Sequence, residues 1–447
     1  MNWSDHAIWW HVYPLGFTGA PRDSPPADAE PDTEPGAVPG RSRLSRLSDW
    51  LDYLLALGCN GLALGPVFAS ETHGYDTVDH LRIDSRLGEE SDLLRLVEEA
   101  SAKGVRVLLD GVFNHVGRSF PAFVDVEERG ALSPYASWFK AGPDGGYATF
   151  EGHEHLVALN HDEPAVADYV TEVMTYWMER GVAGWRLDAA YSVPLSFWRT
   201  VSDRVRARFP DAWLTGEVIH GDYTAFVTEG GLDSVTQYEL WKAIWSSLGD
   251  RNFFELAHAL GRHNTLLETF APQTFLGNHD VTRIASRLDD PRHLEHAVVL
   301  LFTTGGIPSV YAGDEQAFRG VKEDRAGGDD AVRPAFPEGP DQLAPYGAPV
   351  YRLHQLLIGL RRRHPWLMRA RTTVTELTNT SLVYTVTDGS SQTLAVALNL
   401  GDAPAVLPLP VAARPWERLA GNGGEMAGDG VTLPAAGWAI AGMEGTL

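Results

Sequence analysis

Carboxylates, histidines and an arginine occur in four short motifs, each of which closes an apolar, strand-like run. The motifs are DGVFNH at 110–115, GWRLDA at 184–189, GEV at 216–218 and FLGNHD at 275–280. Two carboxyl groups from neighbouring strands can act as nucleophile and proton donor at a single sugar carbon. We therefore predict a site that cleaves glycosidic bonds, assembled where these strands end.

The GWRLDA motif supplies the first catalytic candidate. Side chains alternate along an extended strand, so Arg186 and Asp188 point to the same face. A guanidinium close to a carboxylate favours the ionised form, which suits a nucleophile better than an acid. We predict Asp188 as the nucleophile, with a structural ion pair as the alternative for this motif taken alone.

Glu217 ends the next strand-like run and is the candidate proton donor. If the two carboxyl groups lie about 5 to 5.5 Å apart, one attacks while the other protonates the leaving oxygen, with net retention. The acid must keep its proton near neutral pH, and the negative charge of Asp188 and partial burial promote this.

The remaining motifs supply sugar-binding candidates. His279 and Asp280 follow another strand-like run, where a His–Asp pair can bind vicinal hydroxyls and add to transition-state binding. His115 closes the first motif and is expected to face the same pocket. Asp110 is expected to brace the rim without taking part in the chemistry.

These motifs need a scaffold that brings strand ends together. Apolar runs alternate with segments of helical period between residues 7 and 364, a pattern typical of parallel strands joined by crossover helices. Eight such units close into a (β/α)8 TIM barrel, an α/β fold with its chemistry at the carboxyl ends of the strands. The predicted strands are 8–13, 61–64, 105–110, 184–188, 213–217, 234–238, 273–276 and 309–311. The predicted helices include 44–57, 89–103, 164–180 and 350–363.

Other segments do not fit the barrel repeat. The interval after the third strand is too long for an ordinary loop, so we predict 114–162 as a small inserted domain B, with 1–113 and 163–370 forming the barrel. Beyond the barrel, apolar residues alternate with a period of two between turn residues, which predicts 371–447 as a C-terminal antiparallel β-sandwich. Residues 21–40 hold six prolines and are predicted as a mobile loop above the barrel.

Composition limits the partners and the compartment. A net charge of −23 excludes nucleic acid and anionic membrane surfaces, which bind cationic patches, and leaves a neutral small molecule as substrate. The single cysteine, Cys59, excludes internal disulfides. No apolar run reaches the roughly 18 residues of a membrane span, and no secretory signal is visible, so we expect a cytoplasmic protein.

With these motifs, the chain resembles the α-amylase family of retaining glycoside hydrolases over nearly its whole length. The four motifs are similar to the four signature regions of that family, and the long insertion is similar to its domain B. The resemblance implies Asp188 as nucleophile, Glu217 as general acid/base and Asp280 as the third acid, which distorts and grips the sugar. It also implies that Arg186 positions Asp188.

The same resemblance implies a set of substrate-binding residues. His115 and His279 would bind the glucosyl unit that is cleaved, and Tyr75 would stack under its ring. Aromatic faces suit the apolar CH surface of a pyranose, which gives the stacking a physical basis. Asp330 and Arg333 resemble a pair that binds the next glucosyl unit in some relatives, with a solvated loop ion pair as the alternative.

Local details point to one branch of the family. Val218, Ile219 and His220 after the acid resemble the cyclomaltodextrinase and neopullulanase branch. Ala158 stands where an acid or lysine is usual in the family's fifth short region, so the preference between α-1,4 and α-1,6 bonds is left open. The first predicted strand starts near residue 8, so the N-terminal domain common in that branch is not expected.

Calcium is a frequent cofactor in the family. Asn114 matches a common ligand, but Ser192 stands four residues after the nucleophile, where calcium-dependent members usually supply histidine. We therefore expect no cofactor and no essential metal at this position.

The function predicted from the sequence is double-displacement hydrolysis of short or cyclic α-glucans. Maltodextrins, cyclodextrins and cyclic α-maltosyl-(1→6)-maltose are the candidate substrates. One alternative is a transglycosylase, with Trp138, Trp241 and Trp245 as acceptor-side aromatics or, equally, as core residues. A second alternative is a non-catalytic carbohydrate-binding barrel. Proteins of that kind usually lack one of the catalytic acids. A homodimer in which residues 21–40 cap the partner's pocket is left open.

Overall fold

The computed structural model describes residues 3–23, 41–142, 145–325, 327–389, 392–412, 415–427 and 430–443. Most of the predicted loop at 21–40 lies outside these residues. Within the described parts of the chain, no helix combines the length and the apolar character needed to cross a membrane.

Eight parallel strands form the barrel and confirm the predicted fold class. They pair in the order sixth, fifth, fourth, third, second, first, eighth, seventh, and a parallel bridge between Thr236 and Gln273 joins the sixth strand to the seventh. Every predicted barrel strand is present, although its ends shift by up to three residues. The strands are Trp9–Val12, Gly61–Leu64, Arg106–Gly111, Gly184–Leu187, Trp213–Gly216, Ser234–Val235, Gln273–Phe275 and Ile307–Tyr311.

Helices connect successive strands, as expected for parallel pairing. The described α-helices are Pro14–Phe17, Ser45–Asp49, Leu51–Leu57, Glu90–Ala102, Pro121–Arg129, Pro164–Met178, Leu195–Arg208, Tyr223–Thr228, Tyr238–Gly249, Phe254–Leu267, Ile284–Arg287, Leu294–Thr303 and Ala348–Arg363. The helical stretch predicted at 44–57 is present but interrupted. Two short helices meet at Trp50, whose ring is fully buried and stacks on Trp10.

Tryptophans fill the interior of the barrel at the end opposite the site. Trp9 and Trp213 are buried and stack with ring centroids 5.2 Å apart. A β-carbon at Gly61 would lie 2.2 Å from the Trp9 ring, so only glycine leaves room for this packing. His11, two residues after Trp9, lies on the same face of the strand and contacts the His279 ring at 5.2 Å, which links this core to the site.

A short antiparallel pair of strands lies in the long segment that follows the third barrel strand. His115–Gly117 pairs with Leu156–Ala158, and the helix Pro121–Arg129 lies between them in the chain. Near the second barrel strand, Phe68–Ser70 pairs with Thr77–Ile83. We keep 114–162 as the proposed bounds of domain B.

The C-terminal part forms two packed antiparallel sheets and confirms the predicted sandwich. A five-stranded sheet and a three-stranded sheet share a small apolar core that includes Val383, Ala397, Leu407 and Val431. The strands are Arg371–Leu377, Ser381–Thr387, Thr393–Asn399, Ala405–Pro408, Trp416–Gly421, Glu425–Ala427, Gly430–Leu433 and Trp438–Met443.

A buried glutamate after the eighth strand makes stability depend on pH. Glu315 is fully buried and accepts hydrogen bonds from the Tyr53 hydroxyl and the Gly313 N–H, both at 2.9 Å. Burial raises the pKa of Glu315 to about 7. The stability from its protonated form is therefore present below the unfolded pKa of about 4.5 and is lost as the pH rises through 7.

We expect Glu315→Gln to match the wild type in stability at pH 4 and to exceed it at pH 8, by about 3 kcal/mol. The amide removes the cost of burying a charge and keeps an acceptor oxygen. Thermal unfolding between pH 4 and 8 measures the difference, and Glu98→Gln on an exposed helix face is the matched control. A difference that does not grow with pH would contradict the assignment.

Candidate active site

Arg186 joins the carboxyl groups at the ends of the third, fourth and fifth strands. Its Nη1 donates to both oxygens of Asp110, at 2.7 and 2.6 Å, and to Asp188 at 3.2 Å. Its Nη2 lies 2.9 Å from Glu217. All four side chains are at most 10% exposed, so one guanidinium serves three buried carboxyl groups.

Three donors fix the side chain of Glu217. The Tyr238 hydroxyl donates to Oε1 at 2.9 Å and the Ala189 N–H donates to Oε2 at 3.2 Å, in addition to the contact from Arg186. Ala189 has a φ of 45°, a left-handed conformation that costs energy for a residue with a β-carbon. This turn directly after Asp188 aims a backbone donor at the neighbouring acid and keeps the two carboxyl groups side by side.

The pKa of Asp188 does not follow the sequence prediction, in which Arg186 favours the ionised form of this carboxyl group. Burial raises the pKa of Asp188 well above its ordinary value, Arg186 opposes this, and Glu217 and Asp110 add to the rise. Burial also raises the pKa of Asp110, against the effect of Arg186. One positive charge cannot offset the mutual repulsion of three carboxylates. Protonation is therefore favoured at Asp110 and Asp188, whereas the sequence predicted a retained proton on Glu217 alone.

Asp280 is the carboxylate that its neighbours keep ionised. It pairs with His279 at 2.9 Å and with Arg333 at 2.8 Å. Burial acts to raise the pKa of Asp280, but His279, Arg333 and Arg186 outweigh it and hold this pKa well below its usual range. A permanent carboxylate at this position can accept hydrogen bonds from sugar hydroxyls.

Tyr75 lies between the third and seventh strands. Its ring stacks on His279 with centroids 5.2 Å apart, and its hydroxyl hydrogen-bonds His279 Nε2 and donates to Asp110 at 3.1 Å. Tyr75 also lines the cavity beside Asp188. The structure thus brings Tyr75, His279 and Asp280 together, and their contacts with sugar stay a prediction.

Both ring nitrogens of His115 form hydrogen bonds with other groups of the protein. Its Nε2 lies 3.0 Å from the Tyr75 carbonyl oxygen, and the Asn114 amide lies 3.1 Å from its Nδ1. Burial lowers the pKa of His115 to about 3, so the imidazole is neutral and donates from Nε2. His115 lines the cavity and its role in binding sugar stays a prediction.

The predicted pair Asp330 and Arg333 separates in the structure. Arg333 bonds Asp280 and, at 3.1 Å, Asp329. Asp330 is exposed and is not among the described residues that line the cavity. The partner of Arg333 in this loop is therefore Asp329, and a contact between Asp330 and substrate stays a prediction.

A cavity of about 340 Å³ lies over the carboxyl pair, within the range of small-ligand sites. Its lining includes residues that the sequence analysis missed, namely Tyr238, Tyr191, Phe150, Glu151 and Lys322. Tyr238 had a usable signal because it ends the sixth predicted strand, where barrel enzymes carry functional groups. The three tryptophans considered as acceptor-side aromatics are not among the described lining residues.

The described side chains at the family's calcium position give no positive indication of a metal site. The Asn114 amide is engaged with His115, and Ser192 is exposed. Among the described residues, no group of three or more His, Cys, Asp or Glu side chains is arranged to hold a metal ion. We therefore derive no catalytic step through calcium.

This arrangement defines a class of protein. A TIM barrel that carries two buried carboxyl groups side by side at the carboxyl ends of neighbouring strands has the arrangement that retaining glycosidases use. The chain matches the model of the alpha amylase catalytic domain over residues 40–152 and 144–342, and a domain of unknown function, DUF3459, over 372–441. It belongs to the α-amylase family and is a glycoside hydrolase.

Individual relatives agree with this membership. A cyclomaltodextrinase from Geobacillus thermopakistaniensis is 31% identical over 437 residues, which cover 92% of this chain and 72% of that protein. The chain spans between 57% and 65% of the length of further curated relatives.

Solved structures match the chain over its length. A debranching enzyme from Nostoc punctiforme superposes with a TM-score of 0.82 at 27% identity, covering 99% of each chain. A cyclic α-maltosyl-(1→6)-maltose hydrolase from Arthrobacter globiformis superposes with a TM-score of 0.80 at 26% identity, covering 99% of this chain and 100% of that one.

Proposed function

We propose that this protein hydrolyses short or cyclic α-glucans with retention of anomeric configuration, with Asp188 as nucleophile and Glu217 as general acid/base. The observation that carries the proposal is the contact of both carboxyl groups with one arginine, Arg186, beneath a cavity of small-ligand size. Maltodextrins, cyclodextrins and cyclic maltosyl-maltose are the substrates we propose.

The first chemical step forms a covalent intermediate. The Asp188 carboxylate attacks the anomeric carbon while the glycosidic C–O bond breaks and Glu217 gives its proton to the leaving oxygen. A glycosidic oxygen only accepts hydrogen bonds, so bound substrate favours the form in which Glu217 holds the proton and Asp188 is charged. Asp280, kept ionised, then accepts from hydroxyls of the same sugar.

The second step consumes one water. Glu217, now a carboxylate, takes a proton from water as the water oxygen attacks the anomeric carbon, and Asp188 leaves as a carboxylate. Two inversions give net retention. Proton NMR of the first-formed reducing sugar tests this: the α-anomer is expected, and initial release of the β-anomer would overturn the assignment of the two acids.

Substrate range is the second test. We propose a time course on maltotetraose, panose, a cyclodextrin and cyclic maltosyl-maltose, which reports bond type and substrate topology together. Activity confined to soluble starch, with no release from any of these four, would contradict the proposal of short or cyclic substrates.

Transfer to sugar is the nearest rival, because the intermediate on Asp188 can react with an alcohol in place of water. The exposed side chain of Ile219 and the ring of Tyr191 line the cavity near Glu217 and give a sugar acceptor an apolar surface. Incubation with maltotriose separates the two outcomes, since a transferase forms longer oligosaccharides.

We also propose a cytoplasmic location and keep the homodimer as a prediction about assembly. Two relatives from Bacillus subtilis are described as intracellular maltogenic amylases. Fractionation of cells tests the location. Light scattering tests the dimer, and a monomeric mass with full activity would reject a pocket completed by a second subunit.

A further inference from the structure

A row of side chains spans the cavity from one wall to the other. Phe150 stacks on His115 with ring centroids 4.7 Å apart and planes 12° from parallel. The next residue, Glu151, accepts a hydrogen bond from the Tyr191 hydroxyl at 2.8 Å. Tyr191 in turn contacts the ring of His220 at 5.0 Å. The row therefore links the long segment after the third strand to the loops after the fourth and fifth strands.

This row lies directly over the reacting groups. Phe150, Glu151 and Tyr191 line the same cavity as Asp188 and Glu217. Tyr191 lies three residues after the nucleophile, and His220 lies three residues after the acid. Burial raises the pKa of Tyr191, with contributions from Glu151, Glu217 and Asp188, as expected for a phenol that faces these carboxyl groups.

The turn that carries Glu151 is held in an uncommon conformation. Glu151 has a φ of 49° and a ψ of 27° within the short turn Phe150–Gly152. Such a left-handed position costs energy for a residue other than glycine and persists only where surrounding contacts hold it. The contacts seen here are the Phe150 ring on His115 and the Glu151 carboxylate on Tyr191.

We propose that the hydrogen bond between Glu151 and Tyr191 is a clasp that holds domain B across the cavity and makes the enzyme select short or compact α-glucans over long linear chains. The inference rests on the proposed function and names the residues that set its substrate range. The clasp closes the flank beside Glu217, on which the leaving group departs. A long chain must continue through this flank, whereas a short or compact substrate fits inside it.

The test removes one partner of the hydrogen bond at a time. Tyr191→Phe keeps the ring and deletes the hydroxyl, and Glu151→Ala deletes the acceptor. For each, kcat/KM is measured on a long linear amylose and on maltotriose. We expect the ratio of amylose to maltotriose to rise by about fivefold in both variants, which corresponds to about 1 kcal/mol, the net contribution of one hydrogen bond.

Two controls separate the clasp from general effects of substitution. Glu151→Gln keeps an acceptor oxygen and is expected to remain within about twofold of the wild-type ratio. Tyr176→Phe deletes a tyrosine–glutamate hydrogen bond of 2.9 Å, to Glu90, that is remote from the described cavity lining, and is expected to leave the ratio unchanged.

The outcomes distinguish this inference from the proposed function. A wild-type enzyme that cleaves maltotriose, with an unchanged or lowered ratio in Tyr191→Phe and Glu151→Ala, overturns the clasp and leaves the proposed function standing. A wild-type enzyme that cleaves no α-glucan overturns the proposed function itself. A raised ratio in both variants, absent from Glu151→Gln and Tyr176→Phe, supports the clasp.

Discussion

Asp188→Asn is expected to lower kcat/KM on maltotriose by about 10⁴-fold or more, since it replaces the attacking carboxylate with an amide that cannot form the covalent intermediate. The change is nearly isosteric, and Arg186 keeps its contacts with Asp110 and Glu217. Steady-state kinetics measure the loss. Activity within about tenfold of the wild type would overturn Asp188 as the nucleophile.

Unfolding temperature is the control for this variant. Burial raises the pKa of Asp188, so the folded protein gains little from the charged form. A neutral amide is therefore expected to leave the unfolding temperature unchanged or raised. A large drop in this temperature would mean that lost folding, rather than lost chemistry, explains the lost activity.

Glu217→Gln separates the acid from the nucleophile. A nitrophenolate leaves without protonation, so this variant is expected to form the intermediate rapidly from 4-nitrophenyl α-maltoside and to release a burst of nitrophenol. Asp188→Asn is expected to give no burst with the same substrate. Equal behaviour of the two variants would contradict the assigned roles.

Sequence patterns predicted those parts of the fold that depend on local order. Apolar runs that alternate with segments of helical period predicted all eight barrel strands. The second strand begins at Gly61, where the packing of Trp9 requires a glycine. The spacing of Arg186 and Asp188 predicted their contact, since two residues along a strand return to the same face. The break at Trp50 was missed because neither glycine nor proline marks it.

Contacts between loops that lie far apart in the chain could not be predicted from the sequence. Glu151 and Tyr191 lie 40 residues apart, and no periodicity relates a turn in the inserted segment to a loop of the barrel. Asp329, which directly precedes the short helical turn Asp330–Val332, pairs with Arg333, whereas Asp330 is exposed. The direction in which the pKa of Asp188 shifts could also not be predicted from the sequence, because burial by many residues outweighs the single arginine two positions away.

Arg186→Met is expected to reduce both stability and activity. The variant keeps similar bulk but leaves Asp110, Asp188 and Glu217 buried without a positive partner, which typically costs about 3 to 5 kcal/mol. The folded-state pKa values of Asp110 and Asp188, which burial already raises against the effect of Arg186, then rise further above the unfolded value of about 4. The stability loss is therefore small at pH 4, where they are protonated, and grows as the pH rises.

The double variant Arg186→Met/Asp110→Asn tests whether charge is the cause. Asp110 is the principal partner of Arg186, with both oxygens bound, so its neutralisation is expected to recover part of the stability lost at pH 8. Activity is expected to stay about 10²- to 10³-fold below wild type, because the charge that orients Asp188 against the anomeric carbon is still absent. Equal losses of stability at pH 4 and 8, or a double variant no more stable than Arg186→Met, would show that Arg186 acts by packing alone.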